Sequence, residues 1–244
     1  MAEQKFLNCP AESINCTKVM RPYIVLHNSV TLDGSLTGFM PDMDLHYRLA
    51  GGFEPDANLI GSETVLQGQE MFGSGIPDEE PGDFGQPDRG TGLPWWVIID
   101  STGRLKGMLH TCRRFEYCRD VILMVSEHTP EDYIRHLEER RYRYIRTKGK
   151  KVDLKEALRL LADQYDVKRI VTDTGRVLGN LLLDARMVDE VSLLIHPLIK
   201  GKEAYGMFSD VAAELSLSLV REEKFDNGCV WVVYKPVYDN PQQA

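Results

Sequence analysis

Apolar residues along this chain form short, nearly continuous runs, which are separated by turns and by segments with helical periodicity. The runs are rich in β-branched residues and lie at 23–30, 57–60, 95–99, 121–125, 168–172 and 188–195. Such runs are typical of strands buried on both faces of a parallel sheet. Helices are predicted between them at about 42–50, 62–71, 129–140, from 153 onward, and at 176–186. Alternating strands and helices predict an α/β fold.

The C-terminal pattern is of a different kind. Leu215, Leu217 and Leu219 alternate with serines, and the apolar stretch CVWVVYKP follows the turn-forming pair Asn227-Gly228. This pattern predicts an antiparallel hairpin. We therefore expect one domain over 21–240, with a mostly parallel central sheet, flanking helices and an antiparallel C-terminal hairpin.

Two segments lie outside this alternation. Residues 1–20 are expected to be a loose leader; they show no basic-then-apolar signal pattern, so a cytoplasmic protein is expected. Residues 73–94 contain six glycines, four prolines and five acidic residues, which predicts a long loop. That loop is either a disordered insertion or a lid over a site.

Composition narrows the functional classes. The net charge of −8 argues against a general affinity for nucleic acid or anionic membranes, and no apolar run is long enough to span a bilayer. The basic stretch 135–151 is interpreted as a solvated helix and loop. The five cysteines are widely spaced, so reduced thiols are expected, and the scattered histidines predict no metal site.

Turns that follow the predicted strands carry the candidate chemistry. Ligands of open α/β sheets bind outside the carboxyl ends of the strands, where this chain has turns at 31–34, 61–64, 100–101 and 173–176. The turns at 61–64 and 173–176 open helices with a glycine and a hydroxyl, which suits a pyrophosphate. The ordinary alternative for the second turn is a helix start capped by Asp173 or Thr174.

Known phosphate motifs are absent from these turns. Neither GxGxxG nor GxxxxGK[ST] occurs, which argues against a conventional Rossmann or P-loop domain. Arg104 follows the third turn and offers a fork of donors for an additional phosphate. It could equally be a surface arginine.

The order of these turns along the chain resembles that of a known family. In chain order the segments resemble the dihydrofolate-reductase-like fold and, more closely, the reductase domain of riboflavin biosynthesis, including the stand-alone archaeal pyrimidine reductases. The resemblance covers about residues 21–236, and its most specific part is the run from Met187 to Gly201. The matching segments are RPYIVLHNSVTLDGSLTG, DLHYRLAG, ANLIGSETV, WWVIIDSTGRL, KKVDLKEALRLL and IVTDTGRVLGNLLLDARMVDEVSLLIHPLIKGKEAYGMF.

The resemblance implies an NADPH-dependent enzyme. The cofactor would transfer a hydride to the sugar C1 of a ribosylamino pyrimidine 5′-phosphate, giving a ribitylamino product, and the protein would be a homodimer. Asp33 is the implied catalytic residue. The implied cofactor-binding residues are Gly61, Ser62 and Thr64 at the phosphates, Ser101 and Arg104 near the adenosine ribose and its 2′-phosphate, and Thr174, Gly175 and Arg176 beside the pyrophosphate. The implied substrate-binding residues are Asp33, Ser35, His46 and Asp173.

Three departures from the family pattern, and a proline-then-acid pattern from Phe39 to Leu45 that resembles dihydrofolate reductase, leave two alternatives open. Asp-Thr-Gly-Arg at 173–176 replaces a Glu followed by three glycines, Ser35 replaces a Lys or Arg, and the glycine-rich loop 67–93 replaces a DDP-containing segment. One alternative is a true dihydrofolate reductase, in which a buried Asp44 would hold a protonated pterin; otherwise Asp42 and Asp44 are helix-capping residues. The other is a non-catalytic nucleotide-binding relative.

Overall fold

The protein, seen in a computed structural model, is described over residues 21–72, 75–90 and 92–238. Nine strands form one sheet. They are β1 (Tyr23–Thr31), β2 (Ala57–Gly61), β3 (Trp95–Ile99), β4 (Val121–Ser126), β5 (Arg143–Thr147), β6 (Arg169–Thr172), β7 (Glu190–His196), β8 (Ser216–Lys224) and β9 (Val230–Val237). The helices are α1 (Met43–Gly51), α2 (Ser62–Phe72), α3 (Leu109–Arg114), α4 (Glu131–Glu139), α5 (Leu154–Tyr165) and α6 (Arg176–Asp184). The leader expected at 1–20 and the last residues of the expected domain lie outside the described residues.

The sheet has the order β5-β4-β3-β2-β6-β1-β7-β9-β8. The seven strands from β5 to β7 pair in parallel, whereas β9 is antiparallel to β7 and β8 is antiparallel to β9. Gly228 turns the β8–β9 hairpin at a φ of 83°, a backbone conformation that favours glycine. This arrangement confirms the predicted mostly parallel α/β sheet with an antiparallel C-terminal hairpin.

Helices cover both faces of the sheet. Apolar residues of α5 and α6, among them Leu158 and Leu182, share a buried cluster with Ile24 of β1. On the other face, α3 and α4 bury side chains such as Leu109 and Leu137. Such a two-sided arrangement explains why most of the parallel strands are largely apolar.

Two elements were missed in the sequence. The stretch 135–151 is not only a solvated helix and loop, because residues 143–147 form β5, which pairs in parallel with β4. Arginines in this edge strand interrupt the apolar pattern by which a buried strand is predicted. One of them, Arg143, forms an ion pair with Asp120, at 2.8 Å from Nη1 to Oδ2. The short helix α3 was also not predicted; it follows Met108, whose side chain makes no hydrogen bond to the first turn.

Residues 75–90 of the predicted long loop, which we call the acidic segment, pack against the body of the protein. Asp83 is buried and pairs with Arg114, while Glu79 pairs with Arg140 at 2.6 Å. These arginines stand at the C-terminal ends of α3 and α4, near the amino ends of β4 and β5. The expectation of a disordered insertion is therefore wrong for residues 75–90, because arginines neutralise its acidic groups. The ion-paired part of the segment lies near the amino ends of β4 and β5, and the alternative of a lid stays a prediction.

Three further observations concern the described part of the chain. No helix in it is long and apolar enough to cross a bilayer. It contains no group of three or more His, Cys, Asp and Glu residues arranged to hold a metal ion. Cys112, Cys118 and Cys229 are buried free thiols, and burial raises the pKa of each of them.

Candidate cofactor and substrate site

Four strands end side by side where the candidate residues collect. In the sheet, β3, β2, β6 and β1 are consecutive neighbours, and Gly61 at the end of β2 is in register with Ile99 at the end of β3. Neighbouring strands lie about 4.8 Å apart, so the turns at their carboxyl ends form one continuous row. We call the two central turns, 61–64 and 173–176, the strand-end site.

The two turns of the strand-end site lie next to each other. A Cβ built on Gly61 would lie 3.5 Å from Thr174 Oγ1 and 3.9 Å from Thr64 Oγ1. Thr174 is buried, and its carbonyl accepts a hydrogen bond from Asn28 Nδ2 at 3.2 Å. The structure thus brings together Gly61, Thr64 and Thr174, three of the residues that the resemblance implies for the cofactor.

Helix α6 begins after Gly175, and its first turn receives no hydrogen bond from a capping residue. The prediction that Asp173 or Thr174 caps this helix is wrong, because Thr174 faces Gly61 and Asp173 faces α1. A Cβ on Gly175 would meet no atom within 4 Å. The space beside Gly175 is therefore open, and the first amides of an α-helix, which have no partner within the helix, bind the oxygens of a phosphate. The residues at this turn fit a dinucleotide pyrophosphate.

Arg176 points to a different part of the molecule. Its Nε lies 2.8 Å from Asp210 Oδ2, and its guanidinium stacks over the Tyr205 ring at 4.1 Å. Both partners belong to the segment between β7 and β8. A pyrophosphate contact through this side chain would require the guanidinium to leave Asp210, so the backbone of the turn is the better anion site.

Ser101 and Arg104 flank the strand-end site on the β3 side. Ser101 Oγ accepts a hydrogen bond from the Val152 amide at 3.2 Å. Arg104 Nη1 lies 2.7 Å from Glu63 Oε2, in the first turn of α2, and both side chains are at least half exposed. Arg104 is therefore neither isolated nor free: it joins the loop after β3 to the start of α2, beside Ser62.

On the β1 side, α1 contributes His46. The buried His46 ring has its Nε2 4.0 Å from Asp173 Oδ2, and about a third of the Asp173 side chain is exposed. The neighbouring Tyr47 has a raised pKa because burial, and then the Asp173 charge, disfavour its phenolate. Two of the implied substrate residues, His46 and Asp173, therefore face each other next to Thr174.

Asp33 and Ser35, the other two implied substrate residues, fasten loops. Asp33 accepts hydrogen bonds from Thr31 Oγ1 at 2.6 Å and from the amides of Lys200 and Gly201. These bonds lower the pKa of Asp33 to about 2. The Ser35 side chain is buried; its hydroxyl donates to the Thr37 carbonyl and accepts from the Tyr205 amide. Ser35 is thus not presented to a ligand.

The start of α1 bears on the dihydrofolate reductase alternative. Asp42 caps the helix by accepting a hydrogen bond from the Leu45 amide at 3.0 Å, as the capping interpretation predicts. Asp44 is exposed in the first helical turn. The expectation of a buried Asp44 that holds a pterin is therefore wrong, because this carboxylate faces solvent.

Several polar residues beneath the strand-end site were not singled out in the sequence. Strand β1 is buried along almost its whole length, yet it carries the polar run His27, Asn28 and Ser29. Buried polar groups require partners, so polar residues in a buried strand are a usable signal. Here the signal leads directly to the Thr174 carbonyl and to His46.

The protein has relatives of known fold and, in one case, of curated function. It is 29% identical over 191 residues to the 2,5-diamino-6-ribosylamino-4(3H)-pyrimidinone 5′-phosphate reductase of Methanothermobacter thermautotrophicus, covering 75% of this chain and 81% of that protein. A pyrimidine reductase-like protein of Corynebacterium diphtheriae has a similar fold, with a TM-score of 0.64, 21% identity, and coverage of 89% and 93% of the two chains. The riboflavin biosynthesis reductase of Saccharomyces cerevisiae gives a TM-score of 0.61 at 16% identity, with 89% and 90% covered.

The family assignment rests on most of the chain. The sequence profile of the RibD C-terminal domain matches residues 22–231, which include every strand-end turn described above. The resemblance found in the sequence is thereby confirmed. The chain belongs to the RibD C-terminal domain family, a family of oxidoreductases.

Proposed function

We propose that this protein is an NADPH-dependent reductase that acts on a ribosylamino pyrimidine 5′-phosphate and produces the ribitylamino compound. The observation that carries the proposal is the proximity of the two turns of the strand-end site, with the uncapped start of α6 beside Gly61. Curated function in the archaeal relative supports this substrate class. NADPH is available inside cells, which agrees with the cytoplasmic location expected from the sequence.

The strand-end turns and the residues beside them contact different parts of NADPH. The backbone amides at Gly175 and the N-terminus of α2 hold the pyrophosphate, because helix N-termini attract negative charge. Ser62, Thr64 and Thr174 line the same turns, while Ser101 and Arg104 lie toward the adenosine 2′-phosphate. When bound, the cofactor supplies the hydride; the protein orients it and excludes water.

The substrate is placed on the β1 side of the site. There, His46 and Asp173 offer a polar pair next to the buried Thr174, and polar groups of this kind select a ring with exchangeable hydrogens. Asp33 acts on this region indirectly, by holding the loop at 198–201 against the loop at 31–34. We therefore assign Asp33 a positioning role.

A turnover assay tests the reaction. The full-length protein is given NADPH together with either the pyrimidine ribosylamine phosphate or dihydrofolate, and oxidation of the cofactor is followed by absorbance. We expect NADPH to be oxidised in the presence of the pyrimidine compound and not in the presence of dihydrofolate. Turnover with dihydrofolate alone would establish the first alternative, and failure to bind NADPH at sub-millimolar concentration would leave the non-catalytic relative.

Asp33→Asn should lower turnover more than NADPH affinity. The substitution removes the charge to which the Lys200 and Gly201 amides donate and thereby loosens the loop beside the substrate. Because the folded-state pKa of Asp33 is lowered to about 2, its contribution is present above the unfolded pKa and lost only as the pH falls toward 2. Steady-state kinetics and a cofactor titration separate the two effects, with the distant, exposed Asp166→Asn as control. An equal loss of turnover and of NADPH affinity would assign Asp33 a general structural role.

A homodimer is part of the proposal, and an exposed apolar surface supports it. Strand β8 lies at the sheet edge, and edge strands with apolar side groups favour association. Helix α6 is tied to the segment before β8 by the Arg176–Asp210 ion pair and by a hydrogen bond from the Ala212 amide to Asp184. The exposed apolar residues of these two elements are Leu217, Leu219, Val220, Val177 and Leu181.

Leu219→Lys should convert the dimer into a monomer, because it places a charge in the middle of this surface. Sedimentation at several protein concentrations measures the change. Tyr117→Lys, which alters an exposed aromatic residue on the loop before β4, is the control and should leave the dimer intact. A dimer that survives Leu219→Lys would place the interface elsewhere.

A further inference from the structure

A series of buried hydrogen bonds lies beneath the β1 side of the strand-end site. Trp231 Nε1 donates to Ser192 Oγ at 2.8 Å, and the same oxygen lies 2.8 Å from His27 Nδ1. The other ring nitrogen of His27, Nε2, lies 3.2 Å from the His46 carbonyl oxygen. These bonds therefore connect the C-terminal hairpin with helix α1.

The partners of His27 fix its tautomer. A carbonyl oxygen only accepts, so His27 Nε2 carries the hydrogen that is donated to His46. Complete burial and the adjacent His46 lower the pKa of His27 to about 3, so the ring is neutral near pH 7 and Nδ1 accepts from the Ser192 hydroxyl. His27 is consequently a fixed structural group that does not exchange protons with the site.

The same network orients His46. The two histidine rings lie against each other, with centroids 4.5 Å apart, and Ser29 Oγ is 3.0 Å from His46 Nδ1. A hydroxyl can donate to a neutral imidazole or accept from a charged one, so Ser29 accommodates both states of His46. Only His46 Nε2 is directed toward the site, where Asp173 Oδ2 lies at 4.0 Å. A small rotation of either side chain brings these two atoms within hydrogen-bond distance.

We propose that His46 supplies the proton that accompanies hydride transfer, passing it to the substrate directly or by way of Asp173, and that His27 and Ser29 are its positioning residues. The inference rests on the proposed function. When bound, the reduced nicotinamide would supply a hydride that forms a C–H bond at the sugar C1 of the ring-opened imine form of the substrate. The π electrons of the imine move to the nitrogen, which takes the proton from the His46–Asp173 pair. The cofactor leaves oxidised, and water reprotonates the pair.

Two variants test the role of His46 in turnover. His46→Gln keeps a polar group that cannot deliver a proton, and we expect kcat to fall about 100-fold or more while the NADPH dissociation constant changes less than about twofold. Ser29→Ala removes only the positioning hydrogen bond, and kcat should fall several-fold with KM unchanged. His128→Gln, at an exposed histidine, is the matched control and should retain wild-type kinetics.

A second readout does not depend on turnover. Nitrogen-15 NMR of the imidazoles in the cofactor-free protein should show His27 as the Nε2–H tautomer, and Asp173→Asn should shift the His46 nitrogens and leave those of His128 unchanged. Wild-type kcat in His46→Gln, or His46 signals indifferent to Asp173→Asn, would overturn the inference alone. A wild-type protein that binds NADPH but never oxidises it would overturn the proposed function and this inference together.

Discussion

Replacing Gly175 with valine should weaken NADPH binding by about 10- to 100-fold, because hydrogen bonds to a charged group contribute about 1.5–3 kcal/mol each. A Cβ at this position points into open space, where the proposed pyrophosphate lies. The backbone of Gly175, with φ −68° and ψ −176°, is extended and accessible to any residue. The variant should therefore fold normally and lose only the ligand contact. A fluorescence titration with NADPH measures the loss.

Gly85→Val provides the matched control. Gly85 also has extended backbone, with φ −117° and ψ 161°, and a Cβ on it would meet no atom within 4 Å. It lies in the acidic segment, near the amino end of β5 and away from the strand-end site. Its NADPH affinity should equal that of the wild type. An unchanged affinity in Gly175→Val would remove the pyrophosphate from this turn.

Asp120→Ala should lower the free energy of unfolding by about 3–5 kcal/mol, the usual effect of breaking a buried ion pair from one side. Asp120 is buried immediately before β4 and lies 2.8 Å from Arg113 Nε and from Arg143 Nη1. Arg113 is itself 3% exposed, so the substitution leaves an uncompensated charge inside the protein. Urea denaturation measures the change.

Asp163→Ala is the comparison for Asp120→Ala. Asp163 forms an exposed i, i+4 pair with Arg159 on α5, and such pairs contribute about 0.3–0.5 kcal/mol. If Asp120→Ala lowers the free energy of unfolding as little as this control does, the buried ion pair does not hold β4, β5 and the acidic segment together. NADPH affinity should change little in either variant, since both aspartates lie away from the strand-end site.

Most of the parallel strands were predictable from sequence because burial on both faces leaves a largely apolar run, as in β4. Strand β5 was not predicted because it is an edge strand whose arginines form ion pairs with Asp120 and Glu131. The packing of the acidic segment was not predicted for a related reason: its carboxylates are neutralised by arginines distant in sequence, such as Arg140. Composition reports the charge of a segment but not its partners.

The position of the candidate site was predictable, but the directions of its side chains were not. Sheet topology alone brings the turns at 61–64 and 173–176 together. Ser35, by contrast, is turned inward by the loop at 204–207, and Arg176 is drawn away by Asp210. These orientations depend on segments far away in sequence. The buried histidine pair beneath the site likewise arises from packing between β1 and α1.

A crystal structure of the full-length protein with NADPH is the most direct test of the central claim. The account predicts the pyrophosphate between the turns at 61–64 and 173–176, with its oxygens on the first amides of α6. It also predicts the adenosine toward Ser101 and the nicotinamide toward the His46 side. A dinucleotide bound at any other edge of the sheet, or one whose pyrophosphate makes no contact with Gly175, would contradict it.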